Sequence, residues 1–298
     1  MKKTGFIAII GRPNVVKSTL LNSMLGEKIA ITSNKPQTTR NKITGILTEG
    51  ENQFVFLDTP GMHKSVTKLG TYMNKEVSSA INSVDAGILV ADARYLPGEI
   101  EKKLIKRMTS DGLPIILVLN KTDLTNGERV GQVITAYAQL ADYASVIPIS
   151  AANEDGIQIV KEECAKLLHE GEWTFEEDEL TDQTERKIAS EIIREKILRL
   201  TDDEVPHGIA VIIEEFKDEG SLLRIRADIY CEKASHKGII IGKNGETMKK
   251  IGSFAREDME KFFATKVFLD LWVKVKENWR ESDYLINDFG LNDKSDED

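Results

Sequence analysis

The sequence predicts two domains in series: an α/β domain on a mostly parallel six-stranded sheet with helices on both faces, then a smaller α+β domain. Three observations carry this reading. From residue 1 to about 170, short apolar runs alternate with amphipathic stretches, the pattern of strand–helix–strand units. After about residue 185 the order becomes helix, strand, strand, helix, helix, strand. Between the two lies an acidic block without periodicity: Glu172, Glu176, Glu177, Asp178, Glu179 and Asp182. A chain of 298 residues also exceeds one ordinary core.

Strands are expected over residues 6–10, 43–47, 54–58, 86–91, 115–120 and 146–149, each a short apolar run. Helices are expected over 17–25, 70–84, 100–108, 129–141 and 157–168. Strands covered on both faces read as continuous apolar runs, and ligands bind at their carboxyl ends. The first domain is placed at 1–171, an acidic linker at 172–184, the second domain at 185–281 and an acidic tail at 282–298. In the second domain a helix over 185–200 carries the apolar stripe Ile188, Ile192, Ile193, Ile197 and Leu200. Strands over 210–216 and 222–230 are joined by a turn at Asp218-Glu219-Gly220. A short helix over 235–240, a longer one over 246–264 and a strand over 267–275 follow, and the tail is expected to be loosely ordered.

A net charge of -9, with 41% apolar and 30% charged residues, fits a soluble globular protein. No apolar run approaches the roughly 20 residues that span a bilayer, and Met1-Lys2-Lys3 leads into no cleavage-like site. A cytoplasmic location is expected. Cys164 and Cys231 lie far apart and outside any metal-like spacing. Net acidity argues against nucleic acid, but residues 233–280 carry 11 Lys or Arg against 6 Asp or Glu, leaving a local polyanion site open.

The stretch Gly11-Arg12-Pro13-Asn14-Val15-Val16-Lys17-Ser18-Thr19 stands between an apolar strand and a helix. That is the context of a phosphate-binding loop, in which backbone N–H groups point at phosphates, a lysine reaches the outer phosphates and a hydroxyl holds Mg²⁺. Gly11, Lys17 and Ser18 fit those roles. The glycine expected before the lysine is Val16, and a β-branched residue is poorly suited to a positive φ or to close approach to a phosphate. Weak binding of GTP and GDP is the expectation.

Further motifs stand at successive strand ends. In Asp58-Thr59-Pro60-Gly61, Asp58 can hold Mg²⁺ and the Gly61 N–H can sense a γ-phosphate. In Asn120-Lys121-Thr122-Asp123, Asp123 can accept both the N1–H and the N2 amine of guanine, a donor pair that adenine lacks. Ser150-Ala151-Ala152 offers a backbone N–H to guanine O6. The polar segment Asn34-Lys35-Pro36-Gln37-Thr38-Thr39-Arg40-Asn41 suits a switch, with Thr38 or Thr39 as ligand of Mg²⁺ and the γ-phosphate. The domain resembles the GTP-binding domain of translation-factor-related GTPases, an α/β P-loop fold. Met62 follows Gly61, where Ras-like enzymes place a glutamine that orients water, so slow hydrolysis is expected. His63 is read as an exposed switch residue rather than a base. Asn14 resembles the asparagine that in one branch of these GTPases helps coordinate a K⁺ ion beside the phosphates.

In the second domain Gly238-Ile239-Ile240-Ile241-Gly242-Lys243-Asn244-Gly245 joins two helices. A Gly-x-x-Gly with a basic residue inside lets bare backbone approach a sugar-phosphate chain, as in KH domains, and the element order is that of the second KH type. Ile239, Ile240, Ile241 and Ile251 are expected to line a base groove, with Lys237, Lys243, Lys249 and Lys250 meeting phosphates.

Gly-Arg-Pro-Asn, Gln-Thr-Thr-Arg-Asn and Asp-Thr-Pro-Gly, followed by a KH domain ending in residues 267–280, make the chain similar to the Era family of bacterial GTPases over roughly residues 4–290. The resemblance implies a ribosome-assembly factor that binds the 3′ end of 16S rRNA through the KH domain and acts on the 30S subunit, with slow GTP hydrolysis and peripheral association with the inner membrane. A monomer is expected. A competing reading, a non-enzymatic RNA-binding protein or RNA chaperone with a structural GTPase domain, draws on Val16. Intact Lys17, Ser18, Asp58, Asn120 and Asp123 argue against it, and an ATPase or kinase fails on the Asn120–Asp123 motif.

Overall fold

The computed structural model describes residues 1–35, 37–202 and 205–291. They form two compact units: Met1–Thr32, Thr39–Val66 and Gly70–Asp182 make the first, and the remaining described residues the second.

The first unit opens with β1 (Lys3–Ile10), α1 (Lys17–Leu25), β2 (Ile43–Glu49), β3 (Asn52–Asp58), α2 (Lys68–Asn82) and β4 (Ala86–Asp92). It continues with α3 (Glu99–Ser110), β5 (Ile115–Asn120), α4 (Gly127–Ala138), β6 (Ser145–Pro148), α5 (Ile157–Ala165) and β7 (His169–Glu170). The sheet runs β2-β3-β1-β4-β5-β6. Every neighbouring pair is parallel except β2 with β3. β1 shows why both faces are covered. Ile7 and Ile9 enter a core shared with Leu20, Leu21 and Val160, whereas Ala8 and Ile10 enter one shared with Val77, Leu104 and Val133. Side chains alternate across a strand, so α1 and α5 cover one face and α2, α3 and α4 the other.

Two features depart from expectation. The sheet has seven strands, not six, because β7 pairs antiparallel with Lys3 and Thr4. No strand was expected at 169–170, and the helix expected over 157–168 ends at Ala165. β4 begins its pairing only opposite Ile7, so the first residues of β1 have an open side that β7 fills. The stretch expected to be a linker also lies on the first unit. Gln53 Oε1 accepts from Thr174 N at 2.9 Å and Phe175 N at 3.1 Å, and Leu180 O accepts from Ile46 N at 2.8 Å. β2 is an edge strand, and the acidic segment occupies its outward hydrogen-bonding groups.

The second unit contains α6 (Glu185–Leu200), β8 (Ala210–Asp218), β9 (Leu222–Cys231), α7 (Ala234–Ile241), α8 (Glu246–Phe263), β10 (Lys266–Val275) and α9 (Asp283–Asp288). Its sheet runs β10-β9-β8, with β10 parallel and β8 antiparallel to β9. Ile193, Ile197, Ile225, Ile229, Ile240, Ile251 and Met259 form one core beneath α6, α7 and α8. The tail is folded where looseness was expected. Ser282 caps α9 by accepting from Leu285 N at 3.3 Å, and Phe289 packs on Tyr230 and Trp279 with ring centroids 4.7 and 5.4 Å apart. Trp279, fully buried, donates to Gly208 O at 2.9 Å. These aromatics outweigh the acidic composition up to Leu291; residues 292–298 lie outside the described residues.

Candidate nucleotide site and candidate nucleic-acid loop

The loop between β1 and α1 is held by close backbone approach. A Cβ on Gly11 would come within 2.4 Å of Val90 O, so no side chain fits there. Val15 is buried in the core, and α1 begins at Lys17. Val16 caps this helix with φ 73° and ψ 42°, the left-handed region. A β-branched residue in that region carries strain of roughly 1–3 kcal/mol. Exposed Asn14 also has a positive φ, at 64°, and Thr19 is half-buried in the first turn of α1.

Lys17, Ser18, Thr39 and Asp58 are all buried and converge beneath this loop. Asp58 Oδ2 accepts from Ser18 Oγ at 2.5 Å and from Thr39 Oγ1 at 3.4 Å, and the two hydroxyls lie 2.8 Å apart. Thr38 is oriented otherwise: its hydroxyl donates to Lys35 O at 2.7 Å. Of the two threonines, Thr39 has its hydroxyl beside Ser18. Among the described residues, buried Asp58 Oδ1 has no hydrogen-bond partner. Burial raises the Asp58 carboxyl to about 6, against the opposing pull of Lys17, Ser18 and Thr39. Burial lowers the Lys17 ammonium, with Asp58 acting the other way. Lys17 Nζ reaches only loop carbonyls, Gly11 O at 3.5 Å and Arg12 O at 3.4 Å. An orphaned carboxylate oxygen, two adjacent hydroxyls and a desolvated ammonium fit Mg²⁺ and a polyphosphate.

Gly61 lies against the same loop, since a Cβ there would fall 2.6 Å from Pro13 N, and Met62 N donates to Gly11 O at 3.1 Å. The Met62 side chain packs on the core under α2, α3 and α4. His63 is half-buried rather than exposed, its Nδ1 3.0 Å from Gly61 O and its backbone paired with the Asn74 amide.

At the base end, Asn120 joins three segments. Its Nδ2 donates to Val15 O at 3.0 Å, and its Oδ1 accepts from Lys121 N at 2.7 Å and Ala151 N at 3.0 Å. Asp123 Oδ1 accepts from Ser150 Oγ at 2.7 Å. Ala152 is exposed beside buried Ala151. Lys121 Nζ donates to Asn14 O at 2.7 Å and pairs with Asp92 Oδ2 at 3.1 Å. Asp92 was missed in the sequence, although it ends an apolar strand just as Asp58 does. Burial raises its carboxyl, but Arg94 and Lys121 outweigh that and hold it at about 2. Asp92 thus holds the Lys121 ammonium aimed along the loop.

In the second unit the Gly-x-x-Gly turn bridges α7 and α8. Gly242 has φ 75° and ψ 175°, and a Cβ there would sit 2.2 Å from Thr247 Oγ1. Asn244 and Gly245 also have positive φ. Lys237, Gly238, Lys243, Asn244, Lys249 and Lys250 are exposed. The expected base groove needs correction: Ile240 and Ile251 are 0% exposed and belong to the core, because they face the sheet from α7 and α8. Ile239 is exposed and Ile241 partly so.

Comparison with known proteins adds the following. Residues 6–121 match the family described as 50S ribosome-binding GTPase, and residues 204–280 match the KH domain family. GTPase Era of Ruminiclostridium cellulolyticum is 50% identical over 289 residues, 97% of each chain. GTPase Era of Clostridium kluyveri is 48% identical over 291 residues, 97% of this chain and 99% of its own. A crystal structure of Era with MgGDPNP and nucleotides 1506–1542 of 16S ribosomal RNA superposes with a TM-score of 0.94 at 35% identity, covering 98% of this chain and 99% of that one. A tyrosine-to-alanine variant of Aquifex aeolicus Era bound to GDP and AlF4⁻ gives 0.93, also at 35% identity, over 97% and 99%.

Proposed function

We propose that this chain, which belongs to the Era family of GTPases, is an RNA-binding GTP switch that assists assembly of the 30S ribosomal subunit by holding the 3′ end of 16S rRNA in its KH domain. The observation that carries the nucleotide half is the convergence of Lys17, Ser18, Thr39 and Asp58 under one loop. The RNA half draws on the exposed lysines around Gly242-Lys243-Asn244-Gly245 and on the relative solved with nucleotides 1506–1542 of 16S rRNA.

In this reading GTP lies along the loop with guanine between Asn120–Asp123 and Ser150–Ala152. Lys17 contacts the outer phosphates, and Ser18, Thr39 and Asp58 hold Mg²⁺. When bound, Mg²⁺ offsets phosphate charge as the γ-phosphoryl departs. Asp123 selects guanine, and Gly61 N–H reports the γ-phosphate. The Met62 side chain has no polar atom with which to orient water, so hydrolysis to GDP and phosphate is slow. Asn14 is the side chain we assign to a K⁺ ion beside the phosphates.

Val16 is the departure from the phosphate-loop pattern. Its left-handed φ puts a branched side chain where a phosphate loop calls for glycine, so nucleotide binding is impaired. That single position favours the second reading, an RNA-binding protein with a structural GTPase domain. A monomer in the cytoplasm, with a fraction held peripherally at the inner face of the membrane, completes the proposal. Its support is family resemblance, together with the lack, among the described residues, of any helix long and apolar enough to cross a membrane.

The test is binding of RNA spanning nucleotides 1506–1542 of 16S rRNA to the full chain, with and without GTP and Mg²⁺. RNA binding that strengthens with GTP supports the switch. RNA binding indifferent to GTP, in this chain and in its Val16→Gly variant alike, favours the structural reading.

A further inference from the structure

We propose that the exposed outer side of β10 is a second surface for single-stranded RNA, on which Phe268 and Trp272 stack unpaired bases. The inference rests on the RNA-binding reading above and extends the RNA path beyond the Gly-x-x-Gly turn.

β10 alternates cleanly. Val267 and Val273 point into the core, whereas Phe268 and Trp272 are 49% and 59% exposed on the other face. Two large aromatics left this open on a small sheet contribute nothing to its core. Four residues along a strand set them about 13 Å apart. Each ring has a polar partner. The Arg224 guanidinium lies over Phe268 at 4.9 Å from its centroid, and the Trp272 indole N–H donates to Asp270 Oδ2 at 2.9 Å.

Charge decides the class of partner. Glu219 pairs with Lys217 and Arg224, and Asp228 pairs with Lys274. Glu215 stands opposite Arg226 in the register, and exposed Lys266 adds positive charge beside Phe268. With Asp270 tied to the Trp272 indole, the aromatic rings and the arginine and lysine side chains beside Phe268 suit base stacking with phosphates alongside, the way sheet-based RNA modules hold splayed bases. Continuity supports RNA over another partner. β10 is an edge strand, and α7, which leads into the Gly-x-x-Gly turn, packs on its inner side. A strand leaving that turn reaches Phe268 and Trp272 by passing one edge.

The experiment measures anisotropy of 5′-labelled RNA, nucleotides 1506–1542 of 16S rRNA, with the full chain and its Phe268→Ala, Trp272→Ala, Trp272→Phe and Lys243→Glu variants. Each alanine should weaken binding about 5- to 100-fold, the range for one stacked base, and Trp272→Phe should recover most of the loss. Hydroxyl-radical labelling of the wild-type chain, read by mass spectrometry, should show Phe268 and Trp272 protected by RNA, a readout independent of how variants fold. If Lys243→Glu weakens binding while the alanine variants and the labelling are unchanged, the sheet surface is overturned and the Gly-x-x-Gly reading stands. If Lys243→Glu changes nothing while the rings are protected, the reverse holds. If the chain binds no RNA, both fall. If sedimentation shows self-association abolished by Phe268→Ala and Trp272→Ala at unchanged RNA affinity, the face joins two copies of the chain and the proposal is overturned.

Discussion

Ser18 Oγ donates to Asp58 Oδ2 at 2.5 Å, while the other oxygen of the same carboxylate is buried without a partner among the described residues. This half-satisfied group is costly in the nucleotide-free protein. Burial raises Asp58 from 3.8 to about 6, so the folded state binds a proton between those values that the unfolded chain does not. The sign follows: Asp58 contributes stability below about pH 4, and that contribution is withdrawn as pH rises through about 6. Thermal unfolding of nucleotide-free protein between pH 4 and 7 should show this slope, and Asp58→Asn should remove it. Identical profiles for the two proteins would count against the assignment. Mg²⁺ needs the carboxylate form, so Mg²⁺-dependent GDP binding should weaken as pH falls below about 6.

The two neighbouring threonines should behave differently. Thr39→Ala removes a hydroxyl that lies 2.8 Å from Ser18 Oγ and should lower Mg²⁺-dependent GTP binding by about tenfold or more, the loss of one hydrogen bond to a charged group. Thr38→Ala removes a hydroxyl bonded to Lys35 O and should change it by less than about threefold. Titration with a non-hydrolysable GTP analogue separates them, and equal losses would contradict the arrangement.

Asp123→Asn tests the base site. An amide cannot accept both guanine donors, so GDP affinity should fall by about 10- to 100-fold, as expected for a lost hydrogen bond to a charged group, while a xanthine nucleotide, which carries a carbonyl in place of the amine, becomes the better ligand. Competition between the two diphosphates measures this.

Lys243→Glu should weaken RNA binding at every salt concentration and reduce the slope of log affinity against log salt by about one or more, as expected for lost phosphate contacts. The exposed position means the melting temperature should not move. An unchanged slope would place the phosphate contacts elsewhere.

Much of the architecture was legible because the apolar runs are strong: β4 and β5 are nearly continuous apolar segments, as is β1 from Phe6 on, and α6 spans the 185–200 expected from its stripe. What escaped were features set by tertiary pairing. β7 exists because β4 starts late against β1, which no local pattern encodes. The tail folds through Phe289 on Tyr230 and Trp279, partners ten and 59 residues away. In the site, motif residues were visible by spacing, whereas Asp92 was not, since its meaning comes from Lys121 and Arg94 beside it. Ile240 was misread because a run of isoleucines on a helix does not reveal which of them faces the sheet.

The central claim is that one side chain, Val16 at φ 73°, separates this chain from a competent GTP switch. Calorimetry of GDP with Mg²⁺ on the wild-type chain and on Val16→Gly tests it directly. Relief of roughly 1–3 kcal/mol of backbone strain should tighten GDP binding by about 10- to 100-fold in the glycine variant. Equal affinities would contradict the account.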